Sequence, residues 1–378
     1  MQAAQGLGTS ALIGAFDSAE SAVLRRAVER ASSEAHVSRS ILESREELIR
    51  LRPKCICVDG DSAELAKTTN WIREHASLFS TPVIAMVSCL RDSSFVEAYR
   101  HGADDVIVRT NIGGVTRRIA NLQSFDPTIR PPINKGRVLI SYPSDEYRRL
   151  IGRVLRNAGF DVQFAVGADE IVEAMASEMP PELVVVSDEL LSIYEVDGPR
   201  QLARATKTPF IVVTSNTATP TKQDPTLDAV AIVARTAPPD HLLFLANDLL
   251  TRGGHQRQSP RYLFDTICSF RTEGAFSPEY GLTYNLSETG IYVRTLDPPP
   301  SDARLWLELR PPGFTETVHL RGKLVWRAIP GQSALTTPPG FGLQIEADSS
   351  PARDLQLYRR AYYRLAAVPH QLAVSWRP

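Results

Sequence analysis

The sequence predicts three domains: two α/β domains, each a doubly wound parallel sheet, then an antiparallel β barrel or sandwich closed by one helix. Three observations predict this. At 378 residues the chain is too long for a single ordinary core and fits two or three domains. Its first two thirds repeat a set of landmarks at a nearly constant offset. Beyond residue 260 the pattern changes to short β-type runs separated by Pro- and Gly-rich turns.

Two breaks divide the chain. Residues 123–136 (QSFDPTIRPPINKG) and 251–260 (TRGGHQRQSP) read as linkers. They leave domains at 1–122, 137–250 and 261–378. The first apolar run, Ala11 to Ile13, returns at Val138 to Ile140, an offset of 127. PKCICVD at Pro53 returns as PELVVVS at Pro181, an offset of 128. TPVIAMVS at Pro82 returns as TPFIVVTS at Pro209, an offset of 127. VIVRT with Arg109 returns as IVART with Arg235, an offset of 126. Between these runs lie helical patterns. Asp17 with Glu20 starts one, and Ser144 caps another whose apolar positions are Leu150, Ile151, Val154 and Leu155. Continuous apolar strands alternating with amphipathic helices require a parallel sheet covered on both faces. Each copy therefore has about five strands.

In the third piece the expected strands are Tyr262–Phe270, Leu282–Asn285, Ile291–Thr295, Leu305–Leu309, Val318–Trp326 and Gly340–Glu346. DPPPSD, RPPGF and PGQSALTTPPG separate several of them. A helix follows, with Ser350 as cap and Pro351 at its first position. Its stripe of Leu355, Tyr358, Tyr362 and Leu365 predicts a docking face against the β domain.

Composition narrows the function. The formal net charge of −1 argues against a nucleic-acid coat or a polybasic membrane anchor. That charge is unevenly placed. Residues 250–378 hold 15 Lys+Arg against 11 Asp+Glu, and residues 1–249 hold 27 against 32. Nearly all the carboxy-terminal cations are Arg, which grips phosphate and guanine through a planar fork. Cys55 and Cys57 lie in an apolar run without the partners zinc needs, and read as buried thiols of a reduced, cytoplasmic protein. No apolar run reaches 18 residues, and no Lys or Arg precedes Arg25, so neither a membrane span nor a secretory signal is expected. The seven His do not cluster and no nucleophile–base constellation occurs, so an enzyme is not expected.

Each α/β copy resembles a response-regulator receiver domain. That family places an acidic pair after the first strand, a phosphoacceptor Asp after the third, Ser or Thr after the fourth and Lys after the fifth. Carboxylates hold Mg²⁺ there, and the metal and Lys neutralise the phosphoryl group. In the first copy Asp59 occupies the phosphoacceptor place, Ala15 and Phe16 replace the acidic pair, Val87 takes the Ser/Thr place and Arg109 replaces Lys. In the second, Ser187 stands at the acceptor place beside Asp188, Tyr142 and Pro143 replace the acids, Thr214 fits, and Arg235 replaces Lys. Both copies read as degenerate, with no Mg²⁺ or other metal expected. The resemblance also implies a possible homodimer through the face of the fourth and fifth strands and their helices.

The third domain resembles PilZ, the cyclic di-GMP receptor domain, over about residues 252–366. Arg257-Gln-Ser-Pro-Arg261 matches R-x-x-x-R, and Asn285-Leu-Ser287-Glu-Thr-Gly290 matches [D/N]-x-S-x-x-G, 28 residues later. Leu324-Val325-Trp326 and Gly340-Phe341-Gly342-Leu343-Gln344-Ile345 match its later strands. The resemblance implies a β barrel and a ligand site at Arg257, Arg261, Asn285, Ser287 and Gly290. The Arg pair suits phosphate and guanine, and Asn285 offers one acceptor oxygen where many relatives have a carboxylate. Gly253 and Gly254 lend the arginine segment flexibility, and Gln256 stands where many relatives carry another Arg. The expected function is a cytoplasmic cyclic di-GMP effector that turns ligand binding into a change of domain arrangement and protein contacts, with an unnamed protein partner. The alternatives are a phosphorylation-responsive regulator acting through Asp59 and a ligand-free adaptor in motility or polarity.

Overall fold

The computed structural model describes residues 8–373 except 15, 33, 76, 127–132, 134, 193–205, 216–229, 252–258, 331–336 and 368–371. The first domain runs β1 (Thr9–Ile13), α1 (Ser18–Ala31), β2 (Glu34–Ser38), α2 (Ile41–Leu51), β3 (Ile56–Asp59), α3 (Leu65–Glu74), β4 (Val83–Val87), α4 (Asp92–Arg100), β5 (Asp105–Val108) and α5 (Ile112–Leu122). Its strands pair in parallel in the order β2-β1-β3-β4-β5. This is the doubly wound order in which the chain reverses between β1 and β3. Every residue of β4 is buried, as a strand covered on both faces must be. Asp17 caps α1 by accepting the Glu20 N–H at 2.8 Å. Cys55 and Cys57 lie in one buried cluster under α1 and α5.

The second domain repeats the plan with β6 (Arg137–Ser141), α6 (Asp145–Asn157), β7 (Asp161–Ala165), α7 (Ala168–Ala176), β8 (Leu183–Ser187), α8 (Asp188–Ser192), β9 (Phe210–Thr214), β10 (Val230–Ala234) and α9 (Asp240–Thr251). Ser144 caps α6 through the Tyr147 N–H, and Ile151, Val154 and Leu155 are buried, as their spacing predicts. The sheet has a sixth strand that periodicity did not reveal. Leu372–Ala373, β18, comes from beyond the third domain and pairs in parallel with β10.

The third domain is a closed antiparallel barrel. Its strands are β11 (Tyr262–Leu263), β12 (Ile267–Thr272), β13 (Glu279–Ser287), β14 (Gly290–Arg294), β15 (Arg304–Leu309), β16 (Val318–Ala328) and β17 (Gly340–Ile345). The order is β11-β13-β12-β15-β16-β17-β14, and a β13–β14 pairing closes the ring. The expected strand 262–270 splits at Phe264–Thr266. There the Thr283 hydroxyl donates to Phe264 O at 2.6 Å and accepts the Thr266 N–H at 2.9 Å, so a side chain joins the backbone bonds Phe264 N to Tyr284 O and Thr283 N to Thr266 O beside a bulge in β13. Helix α10 (Ala352–Ala367) buries Tyr358, Tyr362 and Leu365 against the barrel. Ser350 does not cap it. Its hydroxyl lies 2.9 Å from both Arg321 N and Glu346 O, tying the helix entry to β16. The first backbone acceptor of the helix is Pro351 O, bonded by Leu355 N.

The three domains are packed together by buried charge. Between the first two, Asp104 meets Arg73 at 2.8 Å and Arg153 at 3.1 Å. The barrel covers α4, β5 and α5 of the first domain. Asp105 and Arg118 pair at 2.7 Å while 0% and 1% exposed, and the same carboxylate accepts Tyr99 OH at 3.0 Å and Leu296 N at 2.7 Å. Arg117 also pairs with Glu279 and Asp297. Leu282 and Leu296 of the barrel complete apolar clusters of the first domain. The face expected to dimerise is thus taken by the barrel in the first domain. In the second, α9 packs on the barrel and β18 occupies the β10 edge. A homodimer through either face requires these contacts to open.

Burial raises the Asp104 pKa, but Arg153 and Arg73 outweigh it and hold the carboxyl below its usual range. The contact therefore stabilises fully above about pH 4 and is lost as pH falls through the lowered value. Asp104→Asn should cost about 2–3 kcal/mol in a urea melt at pH 7, under the figure for a fully buried pair because the carboxylate is partly exposed. As pH falls through that lowered value the wild type and variant should converge.

Candidate ligand site on the barrel

The N-x-S-x-x-G residues form one hairpin. Ser287 ends β13 and Gly290 begins β14 as a cross-strand pair, so Glu288 and Thr289 are the whole loop. Tyr358 of α10 fixes it by donating toward Ser287 O at 2.6 Å and Gly290 O at 2.9 Å. The Ser287 hydroxyl reaches Gly290 O at 3.3 Å. A Cβ on Gly290 would stand 2.8 Å from Leu343 O of β17, so backbone approach requires glycine there.

Asn285 lies on a cross-strand row. Leu263 pairs with Asn285, Asn285 with Tyr292, Tyr292 with Gly342 and Gly342 with Trp326. Directly paired residues share a face. Their neighbours Leu286, Ile291, Leu343 and Leu324 fill the barrel, so this row faces outward. Yet Asn285 is only 3% and Tyr292 2% exposed. Tyr284 and Tyr292 pack with Phe244 of α9 and with Leu263. The Tyr284 hydroxyl donates to Asp240 O at 2.6 Å. The second domain is thus seated beside Asn285.

Arg261 is exposed and immediately precedes β11. Tyr262 pairs with Leu286, and one further step of that register sets Arg261 opposite Ser287. Tyr362 steadies this end by donating to Pro260 O at 3.3 Å and meeting the Tyr262 ring at 5.4 Å. Burial and Tyr362 push the Tyr262 hydroxyl up to about 12. The structure therefore brings Arg261, Asn285, Ser287 and Gly290 together. Arg257, with Gly253, Gly254 and Gln256, lies outside the described residues. A groove of about 580 Å³ elsewhere, between Leu90 and β12, β13 and β15, includes none of the motif residues in its lining.

Sequence reasoning missed Arg294. It ends β14, four residues from Gly290, is 2% exposed, pairs with Asp240 at 2.6 Å and lies over the Tyr99 ring at 4.1 Å. One cation of the barrel thus touches both other domains. A buried arginine closing a strand was the available signal, but nothing in its spacing named its partners.

The acceptor places of the α/β domains are occupied by their own side chains. Arg109 meets Asp59 at 2.8 Å, Asp61 at 2.6 Å and Glu20 at 3.4 Å, with the Phe16 ring beneath it at 5.3 Å. Its guanidinium sits among the carboxylates that a cation would need. Ala15 lies outside the described residues. In the second domain the Ser187 hydroxyl accepts Leu190 N at 3.2 Å, and Thr214 donates to Asp188 at 2.6 Å. Arg235 stands over Tyr142, which takes one of the acidic-pair places, and over Tyr147 of α6. No group of three or more potential metal ligands occurs among the described residues, and no described helix is long and apolar enough to cross a membrane.

Residues 255–368 match the PilZ domain family. Among solved structures, the chain is similar to the Bacillus subtilis inhibitor of motility at 20% identity over 30% of this chain, with a TM-score of 0.25. It spans 52% of that structure's length. The PilZ domain of YcgR from Escherichia coli, solved with c-di-GMP, matches at 18% identity over 30% of this chain and 93% of its own, with a TM-score of 0.23. A response regulator from Hahella chejuensis matches at 13% identity over 31% of this chain and 96% of its own, with a TM-score of 0.28. A search of the curated proteins finds no match.

Gly290→Ala should lower stability by about 1–3 kcal/mol, read as a fall in melting temperature, because Leu343 O cannot yield without disturbing the ladder. Incubation with acetyl phosphate and Mg²⁺ should leave the intact mass unchanged. A phosphoryl adduct that disappears in Asp59→Ala would show that Arg109 does not close the site.

Proposed function

We propose that residues 255–368, which are a PilZ domain, bind cyclic di-GMP, and that the chain is a cytoplasmic effector rather than an enzyme. Arg257 and Arg261 hold the ligand's phosphates or the O6/N7 edge of a guanine through bidentate hydrogen bonds. Asn285 accepts a guanine N–H through its one side-chain oxygen, and Ser287 adds a small hydroxyl. Gly290 keeps the turn bare of side chain, so the ligand can approach the backbone.

The observation that supports this reading is the β11–β13 register, in which Tyr262 pairs with Leu286 and Leu263 with Asn285, so that Arg261 directly precedes the strand lying along Asn285. In this reading the two sequence motifs, more than twenty residues apart, form one site. Binding there alters how the barrel lies against the second domain, and a protein partner reads the new arrangement. The coupling is a shift between two states for which the ligand has unequal affinity.

Calorimetric titration of the full chain with cyclic di-GMP should give saturable heat at tens of micromolar protein. The double variant Arg257→Ala/Arg261→Ala should give none while keeping the wild-type circular dichroism spectrum. Undiminished binding by the variant would place the site elsewhere.

A further inference from the structure

The two interfaces of the barrel differ in kind. Against the first domain every buried charge is answered: Asp105 receives Arg118, Tyr99, Val106 N and Leu296 N, and Arg118 also reaches Thr295. Against the second domain three buried polar atoms have no hydrogen-bond partner among the described residues: both ring nitrogens of His241 and Oδ1 of Asp265. Nε and Nη1 of Arg294, between Tyr99 and Asp240, have none either. His241 and Asp265 lie 2.8 Å apart, at 2% and 6% exposure, without hydrogen-bonding geometry. An interface that leaves buried donors and acceptors unanswered is the one that opens at least cost.

That same interface covers the ligand row. Leu263, Tyr284 and Tyr292 flank Asn285 in pairing or in sequence, and Phe244 of α9 packs on this group. Asn285, between these residues, is 3% exposed, too little to meet a guanine edge. We infer that α9 of the second domain is a gate over the cyclic di-GMP site, latched by Asp240 on Arg294 and His241 on Asp265, and that ligand and α9 compete for the outer face of β13 and β14. The inference rests on the ligand reading above and adds which interface moves and in which sense. The first domain and the barrel stay together through Asp105 and Arg118, while the second domain leaves. Strand β14 carries the link, since it joins Gly290 at the ligand turn to Arg294 at the latch.

Competition fixes the signs. Apparent affinity falls with the fraction of molecules whose gate is open, so loosening the latch must tighten ligand binding. Asp240→Asn removes the charge facing Arg294 and touches no ligand residue. It should lower the dissociation constant for cyclic di-GMP roughly 5- to 150-fold, the usual span of coupling between sites. His241→Cys/Asp265→Cys provides the opposite control. Cross-linked by oxidation it should bind at least tenfold more weakly than after reduction by dithiothreitol, with wild type put through the same cycle. A wild type that binds poorly while Asp240→Asn binds well supports the gate. Equal affinities for wild type, Asp240→Asn and the oxidised cross-linked variant would overturn the gate and leave the ligand reading standing. Absence of binding in wild type, Asp240→Asn and the reduced cysteine variant alike, each folded by circular dichroism, would overturn both.

Discussion

The guanidinium of Arg294 is where the three domains meet. It belongs to the barrel, rests on Tyr99 of the first domain at 4.1 Å and pairs with Asp240 of the second at 2.6 Å. A buried cation left without its carboxylate is strongly destabilising, so the arrangement of the whole chain is tied to this residue. Burial pulls its pKa down, but Asp240 together with Tyr99, Asp265 and Tyr284 outweighs that effect and holds it above the ordinary value. The second domain is therefore held by a charge contact on a strand that also carries Gly290 of the candidate site. The first domain is held by a different pair, Arg118 with Asp105, which sits deeper and is fully hydrogen-bonded. The two ion pairs thus differ in kind: Arg118 is hydrogen-bonded to Asp105, while Nε and Nη1 of Arg294 have no hydrogen-bond partner among the described residues.

The two α/β domains share one doubly wound plan, and in each an arginine directly follows the strand Asp105–Val108 or Val230–Ala234. Arg109 fills the acidic cluster of the first, and Arg235 over two tyrosines takes the same place in the second. In the first, α4, β5 and α5 form the seat for the barrel. In the second, α9 lies over the barrel's outer face.

Much of this was legible in the sequence. The repeat and its continuous apolar strands specified two parallel sheets, and the caps at Asp17 and Ser144 act as their spacing indicated. The stripe on the final helix buries Tyr358, Tyr362 and Leu365 as expected. What was not legible depends on distant partners. A strand of two residues, Leu372–Ala373, has no periodicity to detect, and its pairing is decided by the free edge of β10. The split of 262–270 depends on Thr283, nineteen positions from Phe264, offering a hydroxyl to the backbone. Ser350 looked like a helix cap but bonds β16, a choice only tertiary proximity makes. At the candidate site, the motifs located Arg261, Asn285, Ser287 and Gly290, and strand register explains their convergence. Neither motif could show that another domain packs on Tyr284 and Tyr292 beside Asn285, because Phe244, Asp240 and His241 belong to an ordinary amphipathic helix.

Small-angle X-ray scattering of the full chain, with and without saturating cyclic di-GMP, tests the competition between ligand and α9 most directly. Release of the second domain predicts a larger radius of gyration and a longer maximum dimension in the ligand-bound protein. A bound protein with the same scattering curve as the free one would contradict it.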